Sequence, residues 1–341
     1  MNRAAVICGL GGALPETLVS NADLARELDT SDEWIRSRTG IENRRVIAPG
    51  QATSDLAVAA GSRALASAGA AADDVDLVVL ATSTPDHPCP ATAPAVAQRL
   101  GMPGAAAFDV AAVCTGFVYA LAAAAAMLTA GTVRQALVIG ADTFSTILDP
   151  ADRTTRAVFG DGAGAVVLRP GDPAEPGALL GFDLGSDGAG SDLITVRAGG
   201  SRQRSAGGDA PAEDHWFAMQ GRAVFAEAVL SMSKSAQHLI DRIGWAGRGP
   251  DRVVAHQANL RILRAVGEQL GLSEEQITVH LDQVGNTVAA SIPLALADAQ
   301  NKGTLTPGQR VLLTGFGGGL TWGSTALIWP SLHLAPAPAH I

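Results

Sequence analysis

Residues 105–128 read AAAFDVAAVCTGFVYALAAAAAML, and the fold follows from how this stretch divides. Ala105–Val110 is an apolar run of strand length, and the small residues Ala111, Ala112 and Val113 then bend the chain. After Cys114 there is no charge and no breaker beyond Gly116. Ala, Leu and Met at that density predict a buried helix starting at or just after the cysteine. Cys114 then sits where unpaired N–H groups and the positive end of the helix dipole converge. Both favour the thiolate, the form that attacks carbonyl carbon. A lone cysteine in an apolar run is ordinarily a small hydrophobe. This one stands apart by its place at a strand-to-helix bend and by two partners further along the chain.

A chain of 341 residues can bury a sizeable core as one large domain or two similar halves. Hydrophobic residues make up 47% and charged residues 17%, with mean hydropathy +0.21, which excludes a disordered chain. The net charge of −9, with no Lys/Arg cluster, argues against nucleic acid as a partner. Cys8, Cys89 and Cys114 are odd in number and widely spaced, so neither a disulfide framework nor a metal site is expected. The N-terminus MNRAAVICGLGGALP enters a strand pattern directly instead of a signal peptide. No stretch is long and apolar enough to span a bilayer, since 120–130 is short and dominated by Ala. A cytoplasmic, soluble protein is the expectation.

Ala5–Leu10 reads as a first strand with Gly11 and Gly12 turning the chain, and Asn21 or Thr30–Ser31 as helix caps. Trp34, Arg36 and Arg38 follow; locally they read as a solvated helix face with one packing Trp. A helix is predicted over Thr53–Ala68 and a buried strand over Asp76–Thr82, a continuous rather than alternating apolar run. Thr84–Pro94, TPDHPCPATAP, is too rich in proline to be regular and reads as a loop. Gln135–Gly140 is another buried strand. Asp152–Ala165 reads as a Gly-rich turn leading into the strand Ala165–Arg169, and because no helix follows, the dinucleotide fingerprint fails. Gly171–Gly177 is the one convincing linker. Beyond it come a strand from Leu179, a surface loop over Ala198–Asp214 and an amphipathic helix over Met219–Leu239. The strand Asp251–Ala255 delivers His256, followed by helices over Leu260–Leu270 and Val288–Ala299. A strand over Arg310–Thr314, a glycine run and a last strand through Trp329 close the pattern, and Leu334–Ile341 reads as a loose tail. The halves echo one another, each closing with a Gly-rich loop and a strand, DGAGAVVL and GGGLTWGSTALIW. A duplicated α/β unit is therefore predicted, residues 1–171 carrying the cysteine and 172–341 the histidine and asparagine.

Three motifs in this order, DVAAVCTGF around Cys114, HQANLRI at His256–Ile262 and GNTVAAS at Gly285–Ser291, resemble the β-ketoacyl-acyl-carrier-protein synthase III family. These are the initiating condensing enzymes of the thiolase superfamily. The resemblance extends from TSDEWIRSRTG at Thr30–Gly40 to GFGGGLTWGS at Gly315–Ser324. It implies an α/β, thiolase-like five-layered α-β-α-β-α fold from two duplicated halves, an obligate homodimer, and a catalytic set of Cys114, His256 and Asn286. By the same resemblance the N–H groups of Cys114 and Gly318 form an oxyanion hole. Residues matching Trp34, Arg38, Arg153, Gly221, Phe225 and Asn259 line a coenzyme A channel, with adenine between Trp34 and Arg153. The implied reaction is an acyl transfer from acyl-CoA to Cys114, then decarboxylative condensation with malonyl-acyl-carrier protein, starting a fatty-acid or polyketide chain. Acyl-CoA is a substrate, and no cofactor, metal or membrane is implied.

Asn286 discriminates among relatives: elongating ketosynthases carry a Gly-His motif there, whereas here it is Gly285-Asn286. Degradative thiolases place a second cysteine in the C-terminal glycine loop, and Gly315–Gly319 has none. Two departures stand out. Cys89 occupies a position in the Pro-rich loop that often holds a bulky aromatic at the partner's acyl pocket, which suggests a primer larger than acetyl. On the helix after HQAN, the positives Arg261 and Arg264, expected to dock the acidic carrier protein, are followed by Glu268 and Gln269. Two other readings stay open at this point. One is an acyltransferase that loads a non-malonyl acceptor; the other is a non-catalytic partner subunit that keeps the fold for dimerisation.

Overall fold

The computed structural model describes residues Arg3–Leu334. The expected tail falls, from residue 335 onward, outside the described residues. Two sheets organise the chain. The first has five strands in the order Ala4–Ala13, Gly162–Gly171, Ala136–Asp142, Leu77–Ala81, Ala106–Val110. The last three run parallel to one another, and Gly162–Gly171 alone runs against them, antiparallel to both of its neighbours, Ala4–Ala13 and Ala136–Asp142. The second has four strands, in the order Arg252–Ala255, Arg310–Gly317, Thr321–Ile328, Leu179–Ser186. Every strand of the first sheet precedes residue 172, and every strand of the second follows it.

Leu77–Ala81 and Ala136–Asp142 are buried along their whole length, because helices cover both faces of the first sheet. Thr53–Ala68 and Ala93–Arg99 lie on its outer face. The helix Gly116–Thr129 and the helix Ser291–Asn301 fill the space between the two sheets. Gly221–Arg242 covers the outer face of the second sheet, with Leu260–Gln269 against it. The result is five layers, helix–sheet–helix–sheet–helix. The Ala-rich composition of Gly116–Thr129 suits the central layer, where apolar side chains meet strands on both sides.

Several glycines expected to turn the chain instead lie within strands. Gly11 and Gly12 belong to the first strand, Gly162 and Gly164 to the second, and Gly315–Gly317 to Arg310–Gly317. The reason is close packing. A Cβ on Gly9 would lie 2.4 Å from the carbonyl oxygen of Ala64, and one on Gly11 2.5 Å from that of Ala60. Only a bare backbone lets the helix Thr53–Ala68 approach the strand this closely. The Pro-rich loop ends earlier than expected, in the helix Ala93–Arg99, whose first N–H groups are held by Asp109: its carboxylate accepts from Thr92 N (2.7 Å) and Ala93 N (2.8 Å). The loop expected over Ala198–Asp214 contains a short helix, Ser201–Ala206. The helix expected from Val288 opens as a 3-10 turn, Val288–Ala290, before Ser291–Asn301. Among the described residues no helix is long and apolar enough to cross a membrane.

Candidate active site

Cys114 lies in a 3-10 turn, Val113–Thr115, between the strand Ala106–Val110 and the helix Gly116–Thr129. Val113 takes φ 46°, a left-handed conformation that is costly for a β-branched residue. The turn is braced from the other half of the chain. Thr115 Oγ1 donates to Thr321 O at 3.1 Å, and Thr321 Oγ1 donates to Ala112 O at 3.3 Å. The glycine run lies directly against it: a Cβ on Gly317 would fall 2.8 Å from Cys114 N and 3.0 Å from Thr115 N. Gly318 comes next in the run, and its own missing Cβ faces Ile194.

His256 follows the parallel strand Arg252–Ala255 and is 3% exposed. Its N–H donates to Thr314 O (2.8 Å), which continues the strand pairing, and its ring Nδ1 lies 2.7 Å from Ser291 Oγ. Burial pushes its pKa down to about 3, so the imidazole is neutral at ordinary pH. Asn286 is anchored to the first half: its N–H donates to Val158 O at 2.8 Å and its carbonyl accepts from Gly160 N at 3.0 Å. The side-chain Oδ1 accepts from Val288 N (2.9 Å), which fixes the amide orientation and leaves the NH2 as the group not engaged by that bond.

Cys114, His256 and Asn286 line one apolar cavity of about 40 Å³. Its wall includes Phe144, Phe159 and Phe217, whose ring centroids are 4.7–5.1 Å apart. Sequence reading missed this aromatic wall, because Phe144 opens a 3-10 turn while Phe159 and Phe217 lie in separate connecting segments, with no common motif. In this closed setting burial pushes the Cys114 thiol up, and the charge of Asp142 adds to it. The expectation that the helix terminus favours the thiolate is thus reversed at rest: desolvation outweighs the dipole at the end of this helix. Asp142 is itself buried, and burial raises its carboxyl to about 7 against the pull of its donors. Those donors are Ser83 N (2.7 Å), Thr84 Oγ1 (3.0 Å), Ala289 N (3.0 Å) and Thr82 Oγ1 (3.3 Å). Asp142 thus ties the base of the Pro-rich loop to the turn that follows Asn286.

A second cluster lies at the surface. The Arg38 guanidinium stands 4.6 Å, and that of Arg153 5.3 Å, from the centroid of the Trp34 ring. Asn259 joins them, its Nδ2 donating to Arg38 O at 3.0 Å while its Oδ1 caps the helix Leu260–Gln269. Gly221 and the exposed Phe225 open the helix Gly221–Arg242, and Val224 and Ala228 on the same helix line the cavity. Arg261 and Arg264 are both exposed; Arg264 pairs with Glu274 at 3.0 Å, whereas Arg261 has no carboxylate at ion-pair distance among the described residues. Cys89 is exposed and is not part of the cavity lining. Among the described residues no group of His, Cys, Asp and Glu is arranged to hold a metal.

Comparisons with known proteins agree with this architecture. The family model for 3-oxoacyl-[acyl-carrier-protein] synthase III matches residues 108–188, and the model of that family's C-terminal part matches residues 240–329. β-Ketoacyl-[acyl-carrier-protein] synthase III 5 of Streptomyces coelicolor is 61% identical, over 97% of this chain and 99% of the relative. The crystal structure of the 3-oxoacyl-(acyl carrier protein) synthase III of Pseudomonas aeruginosa superposes with a TM-score of 0.90 at 54% identity, over 98% of this chain and all of that one (100%). The priming β-ketosynthase of the R1128 polyketide pathway superposes with a TM-score of 0.90 at 33% identity, over 97% of each chain. With relatives this similar along nearly its full length, the chain belongs to the β-ketoacyl-acyl-carrier-protein synthase III family.

Proposed function

We propose that the chain, an acyltransferase of the condensing type, starts fatty-acid or polyketide chains with Cys114 as nucleophile and His256 and Asn286 as donors to the enolate. The observation that carries this reading is the convergence of these three side chains on one buried cavity. In the first half-reaction the Cys114 sulfur attacks an acyl-CoA thioester. The CoA thiolate leaves with the proton that the cysteine gives up. In the second, malonyl-acyl-carrier protein loses carbon dioxide, and the enolate carbon attacks the acyl-Cys114 carbonyl. The carbon–sulfur bond breaks, and the released thiolate takes up one proton. The N–H groups of Cys114 and Gly318 would hold the oxyanion of each tetrahedral intermediate. Two neutral donors on the enolate oxygen, each worth roughly 3 kcal/mol of barrier, stabilise it without a charged acid that would quench the carbanion. A histidine held neutral to about pH 3 suits that task.

Acyl-CoA then enters past Trp34, Arg38, Arg153, Gly221, Phe225 and Asn259. Arg153 already stacks on Trp34, so it must swing away to admit an adenine between them. Malonyl-acyl-carrier protein docks on Arg261 and Arg264. A homodimer is part of the proposal, since a role for Cys89 in an acyl pocket needs a second copy to bring it in. The cavity's own wall of phenyl rings sets the depth available to a primer within one protomer. Division at residues 171 and 172 into two like halves agrees with the separate origin of the sheets. A cytoplasmic location without a resident cofactor completes the reading. Intact-protein mass spectrometry after exposure to a panel of acyl-CoAs tests it: one acyl group is expected on the wild type and none on Cys114→Ala. Carbon dioxide should then be released from malonyl-acyl-carrier protein. Acylation of Cys114→Ala at the wild-type level would overturn the assignment.

A further inference from the structure

The motif GNTVAAS supplies Asn286 to the proposed site but ends on another polar residue, Ser291, which that mechanism leaves idle. Ser291 is 1% exposed and opens the central helix Ser291–Asn301. Its Oγ has two polar contacts among the described residues: Gln257 N at 3.4 Å and His256 Nδ1 at 2.7 Å. The first can only donate to the hydroxyl, because an amide N–H has no acceptor capacity. The hydroxyl proton must then find an acceptor of its own, since a buried donor without one is costly. The one acceptor in reach among the described residues is His256 Nδ1.

We infer that Ser291 is a positioning residue that donates its hydroxyl proton to His256 Nδ1 and thereby fixes the imidazole as the Nε2–H tautomer. The consequence is chemical. A neutral imidazole carries one proton, and with Nδ1 occupied as an acceptor that proton sits on Nε2. A ring in this state presents a donor, as the enolate oxygen requires. The opposite tautomer would present a lone pair, which repels the enolate. Neighbouring contacts hold the pair in register. His256 N donates to Thr314 O, and Gln257 is locked by its own side chain, whose Nε2 donates to Ala255 O and Thr278 O while Oε1 accepts from His280 N. Ser291 is held by Pro293 and Leu294 of its helix, which pack on Gly164 of the first sheet with no room for a Cβ between them. The proton's position on His256 is therefore set from the central layer.

The inference rests on His256 acting as a donor to the enolate, and the test separates the two. In the wild type labelled with 15N-histidine, the His256 signals, assigned by their loss in His256→Gln, should show a protonated Nε2 and a bare Nδ1. A protonated Nδ1 in the wild type would overturn the inference without any variant. Ser291→Ala should lower kcat for decarboxylation of malonyl-acyl-carrier protein about 100-fold, with KM and the rate of Cys114 acylation changed less than threefold. Ser291→Thr, which keeps the hydroxyl, should restore most of the loss. Decarboxylation within threefold of wild type in Ser291→Ala, or no rescue by threonine in a folded variant, would refute the role. Wild-type decarboxylation by His256→Ala, which leaves no donor at this position, would instead refute the donor role of His256 itself.

Discussion

The neutrality of His256 makes a quantitative claim on stability. The ring titrates at about 6.5 when exposed and, through burial, at about 3 in the native chain. Above pH 6.5 neither state binds the proton, and the full native stability is present. Below it the unfolded chain takes a proton that the folded chain refuses, so stability falls as pH drops from 6.5 towards 3. The loss is about 1.4 kcal/mol per pH unit, which comes to roughly 3 kcal/mol at pH 4.5. Asp142 works in the opposite sense. Its folded value is raised to about 7, so its contribution is full below pH 4 and is lost as pH rises through 7. Because the two overlap, the wild-type profile alone does not isolate the histidine. His256→Gln does. Urea denaturation of both proteins at pH 7.5 and pH 4.5, at one protein concentration, should show the wild type losing roughly 3 kcal/mol more than the variant over this interval. A constant penalty from the substitution cancels in that comparison. Parallel losses in the two proteins would mean that the folded ring titrates at its ordinary value, and the argument for a neutral donor would fail.

Other expectations concern the walls and rims of the site. Phe144→Leu, at a ring in contact with both Phe159 and Phe217, should open the cavity and shift Cys114 acylation towards longer acyl-CoAs, read by mass spectrometry across chain lengths; an unchanged preference would place the limit elsewhere. Asp142→Asn removes the charge that helps hold the Cys114 thiol up, so iodoacetamide should alkylate Cys114 faster at fixed pH. The same change sets an amide NH2 either against Ala289 N or against the donors of Ser83 and Thr84, at a stability cost of about 1–3 kcal/mol. Arg261→Glu should raise KM for the carrier protein severalfold while leaving priming by acyl-CoA intact, with the gap closing at high salt. Arg264→Glu should do less, because Glu274 already neutralises Arg264.

Much of the fold was legible because burial on both faces writes continuous apolar runs. Leu77–Ala81, Ala136–Asp142 and the helix Thr53–Ala68 stand within a residue or two of their expected limits. The strands that carry glycine were harder to read. Gly11, Gly164 and Gly317 punctuate the sequence as turns would, but here each removes a side chain where a helix or the Cys114 turn presses on the strand. The helix Ala93–Arg99 was hidden for another reason: its N-terminus is held by Asp109, a residue on a separate strand. Local propensity holds no record of such a partner.

The site shows the same division between local and distant information. Cys114, His256 and Asn286 each sit in a short stretch with a pattern of its own, so they could be named before any contact was known. What tunes them comes from elsewhere in the chain. The thiol is raised by burial and by Asp142, at the end of a strand two places away in the sheet; the imidazole is oriented by a serine at the head of a central helix; the carboxamide is anchored to Val158 and Gly160 of the opposite half. A chain in which either half were displaced would keep all three motifs and lose the site. Both sheets must therefore pack on the two central helices before the cavity exists. Substitutions in that central layer, far from the sulfur, should impair acylation and decarboxylation together, whereas those at Ser291 should separate them.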